Sequence, residues 1–142
     1  MLKGLLRSEL FYCNHLGVSE NDEQDIMDFT VDRDEGAGLL DYIQHHAFPE
    51  EDAGIMRTYT VRDKKSAEMV GYFSLKAGLI SLNEREMESV DDETGEKKTI
   101  TVFDTLPGVE LANFAVNSSY IKKHKDLKGV GLVILISSYC QL

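Results

Sequence analysis

The stretch from Glu110 to Gly131 decides the fold that this sequence predicts. It reads E-L-A-N-F-A-V-N over residues 110–117, continues through a polar segment, and ends in H-K-D-L-K-G-V-G over residues 124–131. This is the order of a core strand, a basic loop with glycines, and an apolar element. A loop that receives phosphate has the same parts, because exposed backbone N–H groups bind the anion, glycines allow its approach, and cations lie nearby.

The charge of the chain is uneven. Its 142 residues carry a formal net charge of -10, which argues against a nucleic-acid-binding surface because such surfaces are basic. Residues 122–142 nevertheless contain four lysines and one aspartate. This basic stretch is either a solvated loop or a single anion site on a protein that otherwise repels anions. Nucleic acid is therefore not expected as a partner.

Length and composition predict one globular domain over residues 1–142. The hydrophobic fraction of 42% and the charged fraction of 28% are ordinary for such a domain. Cys13 and Cys140 are expected to be reduced thiols. The first residues lack a sustained apolar core of a signal peptide, and no apolar run approaches the roughly 20 residues of a membrane helix. We therefore expect a cytoplasmic protein that does not bind membranes.

Residue periodicity predicts helices and a hairpin before this stretch. Strand composition occurs over residues 10–16, 55–62 and 69–82, and the last two segments are expected to pair as an antiparallel hairpin. Helical spacing occurs over residues 19–29 and 39–47, with Pro49 as the expected stop. Gly71 and Gly78 are expected at bends or bulges.

The second half alternates polar and apolar segments. Residues 84–98 predict a solvated, charged excursion with a turn at Thr94-Gly95, and residues 99–103 a short strand. The Leu106-Pro107-Gly108 segment is expected to break the chain before a strand at residues 109–117. The apolar run 132–136 has strand composition, but its place after the glycine loop favours a helix. Together these elements predict an α/β or α+β domain, with helices packed on a mixed sheet.

The order of elements and the motifs resemble the GNAT superfamily of acetyl-CoA-dependent N-acetyltransferases from about Thr58 to Leu132. In that family a hairpin precedes a central strand that ends in an apolar-Ala-Val triplet, and a loop with [Gln/Arg]-x-x-Gly-x-[Gly/Ala] then opens a helix. The triplet corresponds to residues 114–116, and the glycine pair to Gly129 and Gly131. Asp126 stands where the family prefers Gln or Arg, and the loop is longer than usual.

The resemblance implies acetyl-CoA as co-substrate, an amine-bearing small molecule or protein as acceptor, and no metal. The pantetheine arm would pair with the backbone of the central strand. The diphosphate would lie on N–H groups at a helix start, aided by the lysines between 122 and 128. The implied cofactor-binding residues are Phe114, Ala115, Val116, Leu127, Lys128, Gly129, Val130, Gly131 and Leu132. Without a ligand, the same glycines would form a plain strand-to-helix turn.

Glu110 is the candidate catalytic residue. It lies four residues before Phe114, which a strand's period of two places on the same face. In some family members a glutamate at this place resembles a general base that acts directly or through water. The alternative is an exposed glutamate at the rim of the strand.

Relative to the family, the chain is expected to lack the C-terminal strand and helix that often supply a tyrosine as general acid. Tyr120 and Tyr139 are candidates by residue type only. An open sheet edge would favour pairing with another chain, so a homo-oligomer is expected. Two functions follow from the sequence: an N-acetyltransferase, or a catalytically incomplete scaffold that acts as a binding or oligomerisation module. A third reading, transfer to aminoacyl-tRNA, is supported only by the lysines between 122 and 128 and is opposed by the acidic net charge.

Overall fold

A computed structural model describes residues 10–32 and 34–140, and the α+β class predicted from the sequence is confirmed. The chain forms two compact units. One consists of residues 77–109, and the other of the residues before and after that segment. No helix in the described residues is long and apolar enough to cross a membrane.

Within the described residues four strands form one sheet in the order β1-β2-β3-β4. The strands are β1 (Phe11–His15), β2 (Arg57–Asp63), β3 (Met69–Val90) and β4 (Lys97–Val116). β1 and β3 pair antiparallel with either side of β2, so the predicted hairpin is confirmed. Because β4 ends the strand order, its second edge has no partner strand among the described residues.

A β-bulge interrupts the pairing of β2 with β3. Val61 pairs with Gly71 and Arg62 with Met69, so Val70 has no opposite residue. The extra residue reverses the alternation of faces. As a result Val70 shares a core with Phe73 three residues later, and Met69 shares the core on the other face with Tyr72.

The long helical segment does not stop where the sequence predicted. It runs from α2 (Ala37–Asp41) through a π-helical turn (Tyr42–His46) into α3 (Ala47–Asp52). The expected stop at Pro49 is wrong, because Pro49 lies inside this helical segment, three residues after the π-helical turn. The Ala47 N–H donates to the Tyr42 carbonyl five residues back, so the backbone departs from α-helical geometry just before the proline, and such a departure accommodates a proline inside a helix.

The other helices agree better with the sequence. α1 (Asp22–Met27) lies inside the predicted helix 19–29, and α5 (Val130–Cys140) confirms a helix for the apolar run 132–136. The basic loop contains α4 (Ser118–Lys123), which the sequence analysis did not predict.

Residues 77–109 form a two-stranded ribbon from the ends of β3 and β4. The expected turn is present, since Gly95 has a φ of 69° and donates its N–H to the Asp91 carbonyl. The break expected at Leu106-Pro107-Gly108 is wrong, because β4 continues through it. In a two-stranded ribbon each strand has one unpaired edge, where the missing N–H of Pro107 removes no ladder bond.

Two hydrophobic cores lie on opposite faces of the main sheet. The first core packs α5 against the sheet and consists of Phe11, Val61, Val70, Phe73, Leu75, Tyr120, Val130 and Ile134. The second core packs the N-terminal helices and consists of Leu16, Ile26, Phe29, Tyr42, Ile43, Ala47, Met69, Tyr72 and Ala115.

We expect Gly71→Ala to destabilise the protein by about 1–3 kcal/mol, because overpacking a dense site costs that much. A Cβ at Gly71 would lie 2.3 Å from Ile134 Cδ1 and 2.4 Å from the Ala115 carbonyl oxygen. Urea unfolding measures the change.

Gly38→Ala is the matched control. It lies in α2 with nothing within 4 Å of the added Cβ, so it should leave stability unchanged or raise it by about 0.5–1 kcal/mol. Equal effects of the two substitutions would contradict the close contact at Gly71.

Candidate functional site

Asn117 fixes the end of β4. Its N–H donates to the Val70 carbonyl at 2.8 Å, and its side-chain amide donates to the Met69 carbonyl at 2.9 Å. Its Oδ1 accepts a hydrogen bond from the Thr30 N–H at 3.2 Å. The residue therefore ties the strand end both to the bulge of β3 and to the loop after α1.

This attachment determines which backbone groups of β4 face outward. The Asn117 N–H and the Ala115 carbonyl oxygen both point toward β3. Backbone groups of successive residues in an antiparallel strand point alternately to the two sides. The N–H and C=O groups of Phe114 and Val116 therefore point toward the unpaired edge.

A cavity of about 500 Å³ follows that edge. Its lining includes the whole triplet Phe114, Ala115 and Val116, with Leu39 and Ile121 beside it. Successive side chains of a strand point to opposite faces, so a cavity that touches three in a row runs along the strand's edge. The triplet that the sequence singled out is thus brought together at an open, largely apolar groove.

The start of α5 lies beside this groove. Gly129 has a φ of 75°, a left-handed conformation that favours glycine. A Cβ at Gly131 would lie in ordinary contact, 3.6 Å from Val116 Cγ2. Leu127 and Val130 hold the turn by packing against the first core. The glycine pair and the strand triplet are separated by a loop in the sequence, and the fold brings Gly131 next to Val116.

One of the backbone groups predicted to bind phosphate is already used. The Leu127 N–H donates to the His124 carbonyl at 3.0 Å, so the expectation that it receives the anion is wrong. It closes the turn after α4 instead. The N–H groups of residues 128–131 donate to no other described residue, as is usual at a helix start.

The four lysines of the loop differ in their surroundings. Lys122 lies 3.0 Å from Asp32, and Lys123 lies 3.4 Å from Glu68. Within the described part of the chain, Lys125 and Lys128 have no carboxylate within 4 Å. These two are therefore the lysines available for an added anion.

The face alternation of β4 is interrupted between Leu111 and Asn113. Leu111 and Val116 both pack against the first core, although residues five apart in a regular strand lie on opposite faces. Asn113 donates a long hydrogen bond to Met56, which packs against the second core, and Ala115 belongs to that core. The interruption therefore precedes Asn113.

Glu110 lies away from the groove. Its side chain is 59% exposed, with a carboxylate oxygen 3.7 Å from Lys76 Nζ. Lys76 follows Leu75 of the first core, so it projects from the opposite face, and Glu110 shares that face. Glu110 and Phe114 therefore lie on opposite faces, and the prediction that they share one face is wrong, because the interruption after Leu111 inverts the period. The role of Glu110 as a base stays a prediction.

A second contact clamps the loop between α4 and α5. The Tyr120 hydroxyl donates to Asp63 at 2.6 Å, and the Tyr120 ring stacks on His124, which lies 3.1 Å from Glu68. Partial burial acts to raise the pKa of Asp63, but hydrogen bonds, first from Tyr120, bring it below its usual range. The hydrogen bond from His124 similarly lowers the pKa of Glu68.

Sequence reasoning named Tyr120 only as a tyrosine and missed Asn117 as an anchor. Burial raises the pKa of the Tyr120 hydroxyl above its ordinary value, and the hydrogen bond to Asp63 raises this pKa more. Its hydroxyl is thus held as a structural donor. Tyr120 and His124 are four residues apart, a spacing that places two side chains on the same side of a helix. This spacing was the sequence signal that could have predicted their contact.

Comparisons with known proteins bear on the fold. No protein-family model and no curated protein sequence matches the chain. Among solved structures, a tyrosine-to-phenylalanine mutant of the toxin AtaT matches with a TM-score of 0.58 and 16% identity, over 92% of this chain and 64% of that chain. AtaTR bound with AcCoA matches with a TM-score of 0.54 and 15% identity, over 91% and 62%.

A third match is AtaT complexed with acetyl-methionyl-tRNAfMet, with a TM-score of 0.51 and 16% identity, over 82% of this chain and 62% of that chain. AtaT is a GNAT-family acetyltransferase. The predicted resemblance is therefore confirmed as a shared fold. The chain spans less than two thirds of the length of each of these proteins.

We expect Tyr120→Phe to destabilise the protein at pH 7 and to lose part of that effect in acid. Because the folded-state pKa of Asp63 is below its ordinary value of 3.8, its ionisation adds stability above that value, and the contribution is lost as the pH falls through the folded-state pKa. Without the Tyr120 donor this contribution shrinks. The measurement is the free energy of unfolding in urea of wild type and Tyr120→Phe, compared between pH 7 and about pH 3.

Tyr59→Phe serves as the control for Tyr120→Phe, since within the described residues the Tyr59 hydroxyl donates no hydrogen bond. Its effect on stability should not change with pH. A pH-independent difference between wild type and Tyr120→Phe would contradict the role of the Asp63 contact.

Proposed function

We propose that this chain is an N-acetyltransferase that moves an acetyl group from acetyl-CoA to a primary amine by direct attack. The observation that carries the proposal is the groove along the unpaired edge of β4, with the start of α5 beside it. The fold shared with AtaTR, which binds AcCoA, supports acetyl-CoA as the donor. Substrate amine, single-domain character and a cytoplasmic location are parts of the proposal.

The edge of β4 would bind the pantetheine arm. That arm carries two amides, and an extended ligand with amides can add to a sheet edge as a strand does. The outward N–H and C=O groups of Phe114 and Val116 supply the partners. The apolar lining of the groove, with the half-exposed ring of Phe114, suits the methylene groups between the amides.

The start of α5 would bind the diphosphate. The free N–H groups of residues 128–131 and the helix dipole favour an anion, at about 0.3–1 kcal/mol per charge. Gly131 lets the backbone approach the phosphates. Lys125 and Lys128 add positive charge without being committed to carboxylates of the described residues.

The reaction needs few groups from the protein. The amine nitrogen attacks the thioester carbonyl carbon, and the carbonyl oxygen becomes an oxyanion that the outward N–H of Phe114 or Val116 stabilises. The C–S bond then breaks, the acetyl group stays on nitrogen, and the CoA thiolate takes up a proton. Glu110, which lies away from the groove on the opposite face from Phe114, would take the proton of the amine through a chain of waters around the strand edge.

Different observations favour two different classes of acceptor. The acidic net charge and the sparse free lysines favour a small amine or a protein amine. The structure of AtaT with acetyl-methionyl-tRNAfMet favours an aminoacyl-tRNA instead. The alternative to both is a scaffold that binds CoA or a second copy through the edge of β4 without turnover.

Gly131→Ala should weaken acetyl-CoA binding about tenfold or more while leaving stability unchanged. The fold has room for the added Cβ, 3.6 Å from Val116, but a phosphate on the same backbone does not. Isothermal titration with acetyl-CoA measures the affinity, and urea unfolding measures the stability. An unchanged affinity, or no binding by wild type at millimolar ligand, would overturn the proposed phosphate site.

Glu110→Gln should lower the turnover rate by about 10²-fold or more if Glu110 is the base, without changing acetyl-CoA affinity. Thiol release is measured with polyamines, peptide N-termini and aminoacyl-tRNA as separate acceptors. Lys76→Met is the control, because it removes the ion-pair partner and keeps the carboxylate. CoA binding without thiol release from any acceptor would support the scaffold alternative.

A further inference from the structure

The two-stranded ribbon of residues 77–109 exposes much apolar surface. Nine of its large hydrophobic side chains are exposed, namely Leu79, Ile80, Leu82, Met87, Val90, Ile100, Phe103, Leu106 and Val109. A two-stranded ribbon alone is marginally stable in water, and contiguous exposed apolar surface marks interaction sites. The ribbon therefore has the composition of an element that docks on another molecule.

Within the ribbon, β3 has an unpaired edge. The pairing of β2 with β3 ends at Leu75, so the outer backbone groups of β3 from residue 79 to residue 90 have no partner strand among the described residues. Alternate residues along this edge present their N–H and C=O groups outward. An extended segment of another chain can pair with such an edge as an added strand.

One face of β3 carries a row of three glutamates. Glu84, Glu86 and Glu88 alternate along the strand, so their side chains lie on the same face at intervals of about 7 Å, and all three are exposed. Arg85 lies between them in the sequence, but it belongs to the opposite face and pairs with Asp104 at 3.3 Å. Because like charges in such a row repel one another, this face favours cations.

The facing residues of β4 do not neutralise the row. The hairpin closes where the Asp91 N–H donates to the Glu96 carbonyl at 2.9 Å. Counting along both strands from this pair places Thr99 and Thr101 opposite two of the glutamates. Among the described residues, no Lys, Arg or His nitrogen lies within 4 Å of the three carboxylates. Their charge is therefore open to a ligand.

The spacing of the row excludes a single compact cation. Carboxylates about 7 Å apart along a strand do not converge on one ion. In the part of the chain that the structure describes, no group of three or more His, Cys, Asp and Glu side chains is arranged to hold a metal. A ligand that meets all three glutamates must itself carry cations at strand spacing.

An extended basic peptide has that spacing. A strand added to the edge of β3 places every second side chain beside the row, so Lys or Arg at alternate positions would each meet one carboxylate. Ile80 and Leu82 continue the same face and would contact apolar side chains of the added strand. The edge of β4 is less suitable, because Lys97 and Lys98 follow the turn on that strand.

A second copy of this chain fits the edge poorly. Pairing β3 with β3 of another copy would bring two rows of glutamates together, and like charges on neighbouring strands destabilise the pair. The lysine-rich segment of the described residues is not extended, since Lys122 and Lys123 end α4. The complementary strand must therefore come from a different protein.

We propose that the edge of β3 between residues 80 and 88 binds an extended segment of a partner protein with Lys or Arg at alternate positions. Backbone hydrogen bonds would hold the segment along the edge, and the three glutamates would select its cations. The surface lies within the ribbon and does not depend on acetyl transfer.

Fluorescence anisotropy with the whole chain and a labelled heptapeptide tests the surface. The peptide has lysines at its second, fourth and sixth positions and threonines elsewhere. One reference peptide has the same composition with consecutive lysines, and another has glutamates in place of the lysines. We expect saturable binding of the alternating peptide, at least about fivefold tighter than that of the consecutive one, and none of the glutamate peptide.

Two results would overturn the proposal. Equal affinity for the two lysine peptides would mean unspecific attraction between opposite charges. No binding of the alternating peptide at millimolar concentration would mean that the edge does not accept this strand.

Two variants of equal charge locate the site. The first removes the row by the substitutions Glu84→Gln, Glu86→Gln and Glu88→Gln. The second removes three exposed carboxylates from the connection between the strands by Asp92→Asn, Glu93→Gln and Glu96→Gln. The first should raise the dissociation constant of the alternating peptide at least about tenfold, and the second should change it less than about threefold. Equal losses would contradict a role of the row.

Charge reversal keeps the test independent of any loss of structure. Replacing the three glutamates of the row by lysines should abolish binding of the lysine peptide and create binding of the glutamate peptide. Failure of the reversed pair, with the ribbon variant folded by circular dichroism, would contradict strand addition at this edge. Titration with acetyl-CoA is a separate measurement, so failure of the proposed transferase function remains distinguishable.

Discussion

The contact between the end of β4 and the bulge of β3 is the constraint on which the site depends. At Gly71 the backbone of β4 and the side chain of Ile134 both come so close that only a hydrogen atom fits. Asn117 then ties β4 to Val70, the extra residue of the bulge, and to its neighbour Met69. Strand, bulge and α5 therefore have one mutual arrangement, and it decides which backbone groups of β4 remain free.

The free edge and the helix start act as one surface because of this arrangement. If β4 were shifted by one residue, the outward groups would belong to Ala115 instead of Phe114 and Val116, and every side chain would change face. The contact of Gly131 with Val116 would also be lost. Tyr120 and His124 clamp the connecting loop by contacts to Asp63 and Glu68, so the loop's position rests on buried and half-buried groups more than on its exposed lysines.

The proposed cofactor site uses polar backbone groups that the fold leaves without partners. Along β4 these are the outward amides and carbonyls of an edge strand, which an extended ligand can pair.

The sequence by itself determined the elements whose signal is local. Alternation predicted β1, β2 and the hairpin, and the place of the run 132–136 after the glycine loop predicted a helix, because these patterns depend on neighbours a few residues away. The breaks predicted at Pro107 and Pro49 are absent, because Pro107 lies in a ribbon strand with one unpaired edge and Pro49 follows a π-helical turn that departs from α-helical geometry. The tertiary structure alone decided which face Glu110 occupies, that the Leu127 N–H is already used, and that Asn117 anchors the strand. Those outcomes depend on a strand irregularity and on contacts between residues distant in the chain, and no local pattern records them.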